Sequence, residues 1–167
     1  MLVAGGQPNL ASAELYNPIT NVWGPAAPMT TARRYHSATL LPNGKVLVAG
    51  GWGPLQSAEV YDRSTDTWSS AASMTYARGR HSAALLPNGR VFVVGLEGYY
   101  TSYEELYDPA ANAWSSAGSM AMVRAYPQAT VLPKGEVLVR GGFDVHAPVT
   151  YWLPAELFSQ TVCNGDG

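Results

Sequence analysis

The sequence predicts an all-β protein built from one repeated unit of four short strands. An apolar, largely β-branched run that ends in glycine occurs four times, closing at Gly6, Gly51, Gly95 and Gly142. Three tryptophans keep the same register, each seven residues after a tyrosine: the pairs are Tyr16 and Trp23, Tyr61 and Trp68, Tyr107 and Trp114. The tryptophans are 45 and 46 residues apart. Such a period is typical of stacked or radially arranged units, none of which can bury its apolar face alone.

Each strand of the unit can be located in the period from Arg33 to Met74. The four predicted strands are 36–41, 45–49, 58–61 and 67–69. Asn43-Gly44 predicts a tight hairpin, because both residue types can take a positive φ. The uninterrupted apolar run 45–49 predicts a strand buried on both faces. Four short antiparallel strands per period, separated by turns, predict a β-propeller blade.

Composition excludes several classes of function. The 167 residues are 47% hydrophobic and 13% charged, with a net charge of −2 and two lysines, Lys45 and Lys134. This balance supports a packed core and argues against nucleic acid as a partner. No apolar run reaches membrane-spanning length. The sequence opens inside a repeat, so a targeting segment is expected either to be absent or to lie outside this sequence. Cys163 is the single cysteine, so we expect a free thiol rather than an intrachain disulfide.

The order of landmarks resembles the kelch repeat. The residues that carry the resemblance are Gly50-Gly51, Tyr61, Trp68, Met74 and Arg78, with equivalents in the other periods. The blades look similar to those of bacterial kelch proteins and of the central domain of galactose oxidase. The resemblance covers residues 1–158 and implies a kelch-type propeller. Residues 159–167 are expected to form a C-terminal tail or the start of a further module.

The recurring residues are predicted to be structural. We expect the tryptophans to be largely buried between blades, and the glycines to allow close backbone approach. The repeat arginines are expected to tie neighbouring blades through carbonyls or through Glu14, Glu59 and Glu105. His36 and His81 also recur and are assigned a structural role. The full structural set is Gly6, Gly51, Gly142, Tyr16, Tyr61, Tyr107, Trp23, Trp68, Trp114, Arg33, Arg78 and Arg124.

The repeat is incomplete at both ends. The predicted strands group as three, four, four and three, so the first blade lacks its inner strand and the last lacks its outer strand. An open arc of this kind leaves an apolar flank at each end, and such flanks must pair or aggregate. We therefore expect a homo-oligomer, most simply a dimer, or a part of a longer propeller.

The loops that break the repeat are the candidate binding residues. The resemblance implies that they share one face with the connections between blades. The candidates are Trp52, Glu97, Tyr99, Tyr100, Tyr103, Asp144, His146, Tyr151 and Trp152. Aromatic rings beside acids on a rigid scaffold suit a protein or a glycan. The alternative is that these rings cover blade flanks or pack as ordinary core.

The sequence favours a non-catalytic binding module over an enzyme. Asp144 and His146 form a single Asp-x-His pair, too few ligands for a metal site, so no metal or cofactor is predicted. The tyrosines and His146 alone also do not reproduce the copper site of galactose oxidase. The sequence contains no nucleophile elbow or phosphate loop. The alternatives are a carbohydrate-active kelch enzyme of the galactose oxidase or sialic acid mutarotase type, or a purely structural segment. An extracellular or cell-surface location is implied by the resemblance alone.

Overall fold

The computed structural model describes residues 1–53, 55–95, 103–144 and 153–159, and these residues form fourteen strands in four antiparallel sheets. Blade 1 consists of β1 (Leu2–Ala4), β2 (Ala13–Asn17) and β3 (Val22–Ala26). Blade 2 consists of β4 (Ser37–Leu40), β5 (Val46–Ala49), β6 (Ala58–Asp62) and β7 (Thr67–Ala71). Blade 3 consists of β8 (Ser82–Leu85), β9 (Val91–Val94), β10 (Glu105–Asp108) and β11 (Ala113–Ser116). Blade 4 consists of β12 (Gln128–Val131), β13 (Val137–Arg140) and β14 (Glu156–Phe158).

The strand order confirms the predicted architecture. Each sheet is a simple meander in which sequence neighbours pair, as in β4-β5-β6-β7. The described strands group as three, four, four and three, and β1 to β3 align with the second to fourth strands of the complete blades. The inner strand β8 packs between β4 and β12, so successive blades stand side by side. Among the described residues, no helix is long and apolar enough to cross a bilayer.

The core lies between blades. Val48 and Phe92 are fully buried on the second strands of blades 2 and 3, as the uninterrupted apolar runs predicted. One cluster joins Leu47 of blade 2 to Val91 and Val93 of blade 3. A second joins blades 3 and 4, where the rings of Phe92 and Phe158 stack 4.2 Å apart. Each blade therefore completes its core only against a neighbour.

The hairpin at Asn43-Gly44 differs from the predicted turn. Only Gly44 takes a positive φ, of 81°, and its N–H donates to the Leu41 carbonyl over 2.9 Å. The Asn43 side chain instead accepts a hydrogen bond from the Lys45 N–H at 3.1 Å. This is the longer hairpin in which a left-handed glycine ends the turn. The same geometry recurs at Gly89, where φ is 83°.

The tryptophans occupy equivalent positions, but none is fully buried, and the expectation that they are largely buried was wrong for Trp23. Trp68 is half-buried, with its ring 5.1 Å from Tyr61 and its Nε1–H donated across the blade boundary to the Ala27 carbonyl at 2.7 Å. Trp114 repeats both contacts one blade further on. Trp23 is 44% exposed, because no described blade precedes blade 1 to cover it.

The repeat arginines tie neighbouring blades, with one correction to the predicted partners. Arg33 hydrogen-bonds through its backbone N–H to Leu10 of blade 1, while its buried guanidinium pairs with Glu59 of blade 2 at 3.0 Å. Arg78 pairs with Glu105 in the same way at 2.9 Å. The third pair joins Arg124 to Glu156 at 2.5 Å. Each arginine binds the glutamate of the blade that follows it.

Glu14 is therefore not a partner of these arginines. It lies exposed on β2, where the matching arginine would have to precede residue 1. The carboxylates of the three pairs also accept backbone N–H groups, such as Thr30 on Glu59 at 2.7 Å. Buried charges paired and hydrogen-bonded in this way avoid the penalty of an isolated ion.

Candidate ligand-binding face

The loops between second and third strands and the connections between blades meet at one end of the sheets. In blade 2 the Gly51 N–H donates to the Arg78 carbonyl at 2.7 Å, and the Trp52 N–H donates to the Arg34 carbonyl at 2.8 Å. These bonds fix the β5–β6 loop against the connections on either side of blade 2. We call this end of the sheets the loop face.

Three residues on the loop face adopt the same uncommon backbone conformation. Tyr35, Arg80 and Tyr126, each two residues before an inner strand, have φ values of 56°, 55° and 55°. A backbone ladder joins them, because the Arg80 N–H donates to the Tyr35 carbonyl at 3.0 Å and the Tyr126 N–H to the Arg80 carbonyl at 2.8 Å. Left-handed conformations of bulky residues persist only where the surroundings hold them, and they concentrate at functional sites.

The side chains at this ladder gather into one group, which we call the aromatic–arginine cluster: Arg34, Tyr35, Trp52, Arg80 and Tyr126. The Tyr35 ring lies 5.9 Å from Trp52 and 6.3 Å from Tyr126. The Arg80 guanidinium lies 4.5 Å from the Trp52 ring centroid and 5.1 Å from both tyrosine rings. Trp52 and Tyr126 are 36% and 44% exposed, so the cluster is open to solvent.

Arg34 completes the cluster from the side of blade 1. Its guanidinium lies 4.9 Å from the Trp52 ring centroid, and its Nη1 donates to the Gln7 side-chain oxygen at 3.0 Å. The Gln7 amide donates in turn to the Tyr35 hydroxyl at 2.8 Å. Blades 1 to 4 thus all contribute to this part of the loop face, since Phe143 of blade 4 lies 5.8 Å from Tyr126.

The repeat histidines lie beside the glycine doublets on the same face. A Cβ at Gly50, where φ is 69°, would lie 2.5 Å from the Arg78 carbonyl oxygen and 2.8 Å from His81 Cε1. Glycine is therefore required for the histidine to pack there. His81 Nε2 is 2.9 Å from the Ser37 hydroxyl of the preceding inner strand. Burial, with the nearby charge of Arg78, lowers the pKa of His81 to about 3, so it is neutral at pH 7.

The predicted binding residues fall into four groups. Trp52 lies in the cluster. Tyr103 is half-buried and stacks on Tyr76 at 4.6 Å with the planes 12° apart, a packing role that matches the alternative stated for the aromatic loops. Asp144 is half-buried and follows Phe143 at the border of the cluster. The remaining six lie outside the described residues: Glu97, Tyr99, Tyr100, His146, Tyr151 and Trp152.

Sequence reasoning missed four members of the cluster and Gln7. Arg34, Tyr35, Arg80 and Tyr126 stand beside the repeat arginines, in stretches that were assigned to the scaffold. The available signal was variation within the repeat, because the position filled by Tyr35, Arg80 and Tyr126 changes residue type while the histidine position after it is mostly kept. Gln7 belongs to a short loop without aromatic residues. Within the described ranges, no group of three or more His, Cys, Asp or Glu side chains could hold a metal ion.

Comparison with known proteins agrees with this architecture. The family model of the kelch motif matches residues 33–75. The fold is similar to that of a fungal alcohol oxidase of the AA5 family, solved in complex with copper, with a TM-score of 0.57 and 17% sequence identity. The alignment covers 95% of this chain but 60% of the oxidase chain. No curated protein matches the sequence. The chain is therefore a kelch-type β-propeller in its fold, with four blade positions of which the first and last are incomplete.

Proposed function

We propose that the chain is a non-catalytic kelch binding module that presents its loop face to a glycan or a protein. The observation that carries the proposal is the aromatic–arginine cluster, in which Trp52 and Tyr126 remain partly exposed on a backbone fixed by bonds between blades. Partly exposed aromatic rings on a rigid support lose little conformational freedom on binding, which favours affinity.

The predicted loop residues extend the proposed surface. Strand β9 ends and β10 begins at the loop face, so Glu97, Tyr99 and Tyr100 belong to the connection that starts there. Asp144, His146, Tyr151 and Trp152 belong to the connection between β13 and β14. We include both connections in the binding surface, with the cluster at its centre.

The activity of the similar alcohol oxidase is not part of this proposal. An identity of 17% supports a shared fold, and the chain spans 60% of that enzyme's length. Propellers host many unrelated functions, so fold alone does not carry an activity from one protein to another.

The proposal can be tested by screening the wild-type chain on glycan and peptide arrays, with Trp52→Ala and Ile19→Ala beside it. Trp52→Ala removes a ring from the cluster, while Ile19→Ala removes a 92% exposed apolar side chain from the β2–β3 turn at the opposite end of blade 1. We expect a defined set of ligands that Trp52→Ala loses and Ile19→Ala keeps. The proposal would be contradicted if the wild-type chain bound nothing on either array, or if both variants bound equally well.

We also propose that the flank of the arc at blade 1 is covered by another blade. Leu40 on β4 is 63% exposed, whereas its equivalents Leu85 and Val131 pack against the blade before them. A groove of about 420 Å³ lined by Leu2, Leu15 and Leu40, among others, lies beside β1, where the complete blades have an inner strand. The covering blade belongs to a second copy of the chain, most simply in a dimer, or to a longer propeller.

A further inference from the structure

Arg34 is the starting point, because its hydrogen bonding is incomplete. Its Nε is buried without a hydrogen-bond partner, and its Nη1 donates to the neutral side chain of Gln7. No carboxylate in the described part of the chain forms an ion pair with Arg34. A guanidinium without a carboxylate partner can accept one from a ligand, through charge-assisted hydrogen bonds.

The second observation is the concentration of positive charge on one ring. The guanidinium carbons of Arg34 and Arg80 lie 4.9 and 4.5 Å from the centroid of Trp52. The ring attracts each of the two cations, so two guanidiniums lie next to one partly exposed aromatic surface. An acidic ligand bound at this ring would lie close to both of them.

We infer that the aromatic–arginine cluster binds a carboxylated sugar, with Arg34 as the residue that receives the carboxylate. The inference rests on the proposed binding function and specifies its ligand. A guanidinium binds a carboxylate through two parallel hydrogen bonds, which suits the planar fork of arginine. Trp52 and Tyr126 supply ring surface for the C–H face of a pyranose.

The size of the cluster favours a sugar over an acidic peptide. The Tyr35 ring centroid lies 5.9 Å from that of Trp52 and 6.3 Å from that of Tyr126, so the three rings form a compact surface about the size of one monosaccharide. Peptide recognition in extended form uses a sheet edge or a long groove. Asp144 stands at the border beside Phe143, so the acidic group of the ligand is assigned to the Arg34 side.

The test is an array of saccharides in which every uronic acid is matched by its methyl ester, with acidic peptides on the same surface. The ester keeps the ring and removes the charge. We expect binding to carboxylated sugars and at least tenfold weaker binding to their esters, since charge-assisted hydrogen bonds are worth about 1.5–3 kcal/mol. Affinity for the acids should also fall as ionic strength rises, a readout on the wild-type chain alone.

Two variants assign the effect to Arg34. Arg34→Gln should weaken binding to the acid roughly tenfold or more and leave binding to the ester unchanged. Arg63→Gln makes the same change of net charge in the turn between β6 and β7, which lies at the end of blade 2 away from the loop face. This variant should bind like the wild type. Thermal unfolding of both variants checks that they fold.

The remaining outcomes separate this inference from the proposed function. Equal binding to acids and esters, or acid binding that survives Arg34→Gln, would overturn the inference and leave a sugar-binding module. Binding to acidic peptides alone would overturn it in favour of a protein partner. Absence of binding to every saccharide and peptide would overturn both.

Discussion

At the scale of single residues, buried arginine–glutamate pairs at equivalent positions help to hold the blades together. The Arg78 guanidinium reaches across a blade boundary to Glu105, and the Glu105 carboxylate also accepts the Thr75 N–H at 2.7 Å. The cost of desolvating both ions is offset because nearly all of their donors and acceptors are used. Arg34 has the neutral side chain of Gln7 as its partner, whereas each scaffold arginine pairs with a glutamate. This contrast separates the scaffold arginines from the binding arginine we propose.

His81 predicts a pH dependence of stability. Its pKa is about 3 in the folded chain against 6.5 for the ordinary side chain, so between these values the unfolded chain binds a proton that the folded chain does not. Stability is therefore fully present above pH 6.5 and falls as the pH is lowered through this window, by up to about 1.4 kcal/mol per pH unit. Burial, with the charge of Arg33, also lowers the pKa of His36, which adds to the effect.

The measurement is urea unfolding at pH 7.0, 5.5 and 4.5 for the wild type and His81→Gln. The glutamine amide can still hydrogen-bond to Ser37 but does not titrate. We expect a clearly shallower loss of stability in the variant across this range, above the region where most carboxylates titrate. Identical slopes in the two proteins would show that His81 is not held neutral by the fold.

Single residues of the site were the hardest part to predict from the sequence. The roles of Arg33 and Arg78 follow from their recurrence, but the predicted set of glutamate partners included Glu14 and lacked Glu156. The left-handed conformations of Tyr35, Arg80 and Tyr126 have no signature in the sequence, since such conformations are usually filled by glycine or asparagine. Only the bonds between blades explain them.

At the scale of elements, the blades follow directly from the period of the sequence. Turn residues and apolar runs predicted the four strands of blade 2 to within one or two residues of their observed ends. Turn residues and apolar runs within one blade determine where its strands form, whereas the burial of a side chain depends on the neighbouring blades. That is why the half-buried state of Trp68 and the exposure of Trp23 were not predicted.

Trp68 tests how much one contact between blades contributes. Trp68→Phe keeps a ring beside Tyr61 but loses the hydrogen bond to the Ala27 carbonyl, and should lower the free energy of unfolding by about 1 kcal/mol. Trp68→Ala should cost about 2–3 kcal/mol, less than truncation of a fully buried aromatic residue, because the side chain is only partly buried. Ser69→Ala, exposed on the same strand, serves as the control and should change stability by less than about 0.5 kcal/mol.

Denaturant unfolding of the three variants at pH 7 provides the comparison. A loss below about 1 kcal/mol for Trp68→Ala would contradict the role of this residue in joining blades 1 and 2. An equal loss for the phenylalanine and alanine variants would assign the whole effect to the hydrogen bond.

At the scale of the whole molecule, the open arc that we propose accounts for the exposed apolar flank. Leu40 is exposed only because blade 1 has no described inner strand, and Trp23 because no described blade precedes it. The aromatic–arginine cluster needs at least blades 2 to 4, since Trp52, Arg80 and Tyr126 come from three successive periods. We therefore expect ring closure to change the stability of the chain more than the geometry of the cluster.

The central claim is that the arc is stable only when other blades cover its flanks, and the mass of the purified chain in solution tests it most directly. Light scattering should give twice the chain mass of 17.8 kDa for the dimer we propose. Leu40→Arg, which places a charge on the exposed flank, should shift the population toward monomer. A wild-type chain that remains a monomer of 17.8 kDa at high concentration without aggregating would contradict the claim and favour a closed ring of four blades.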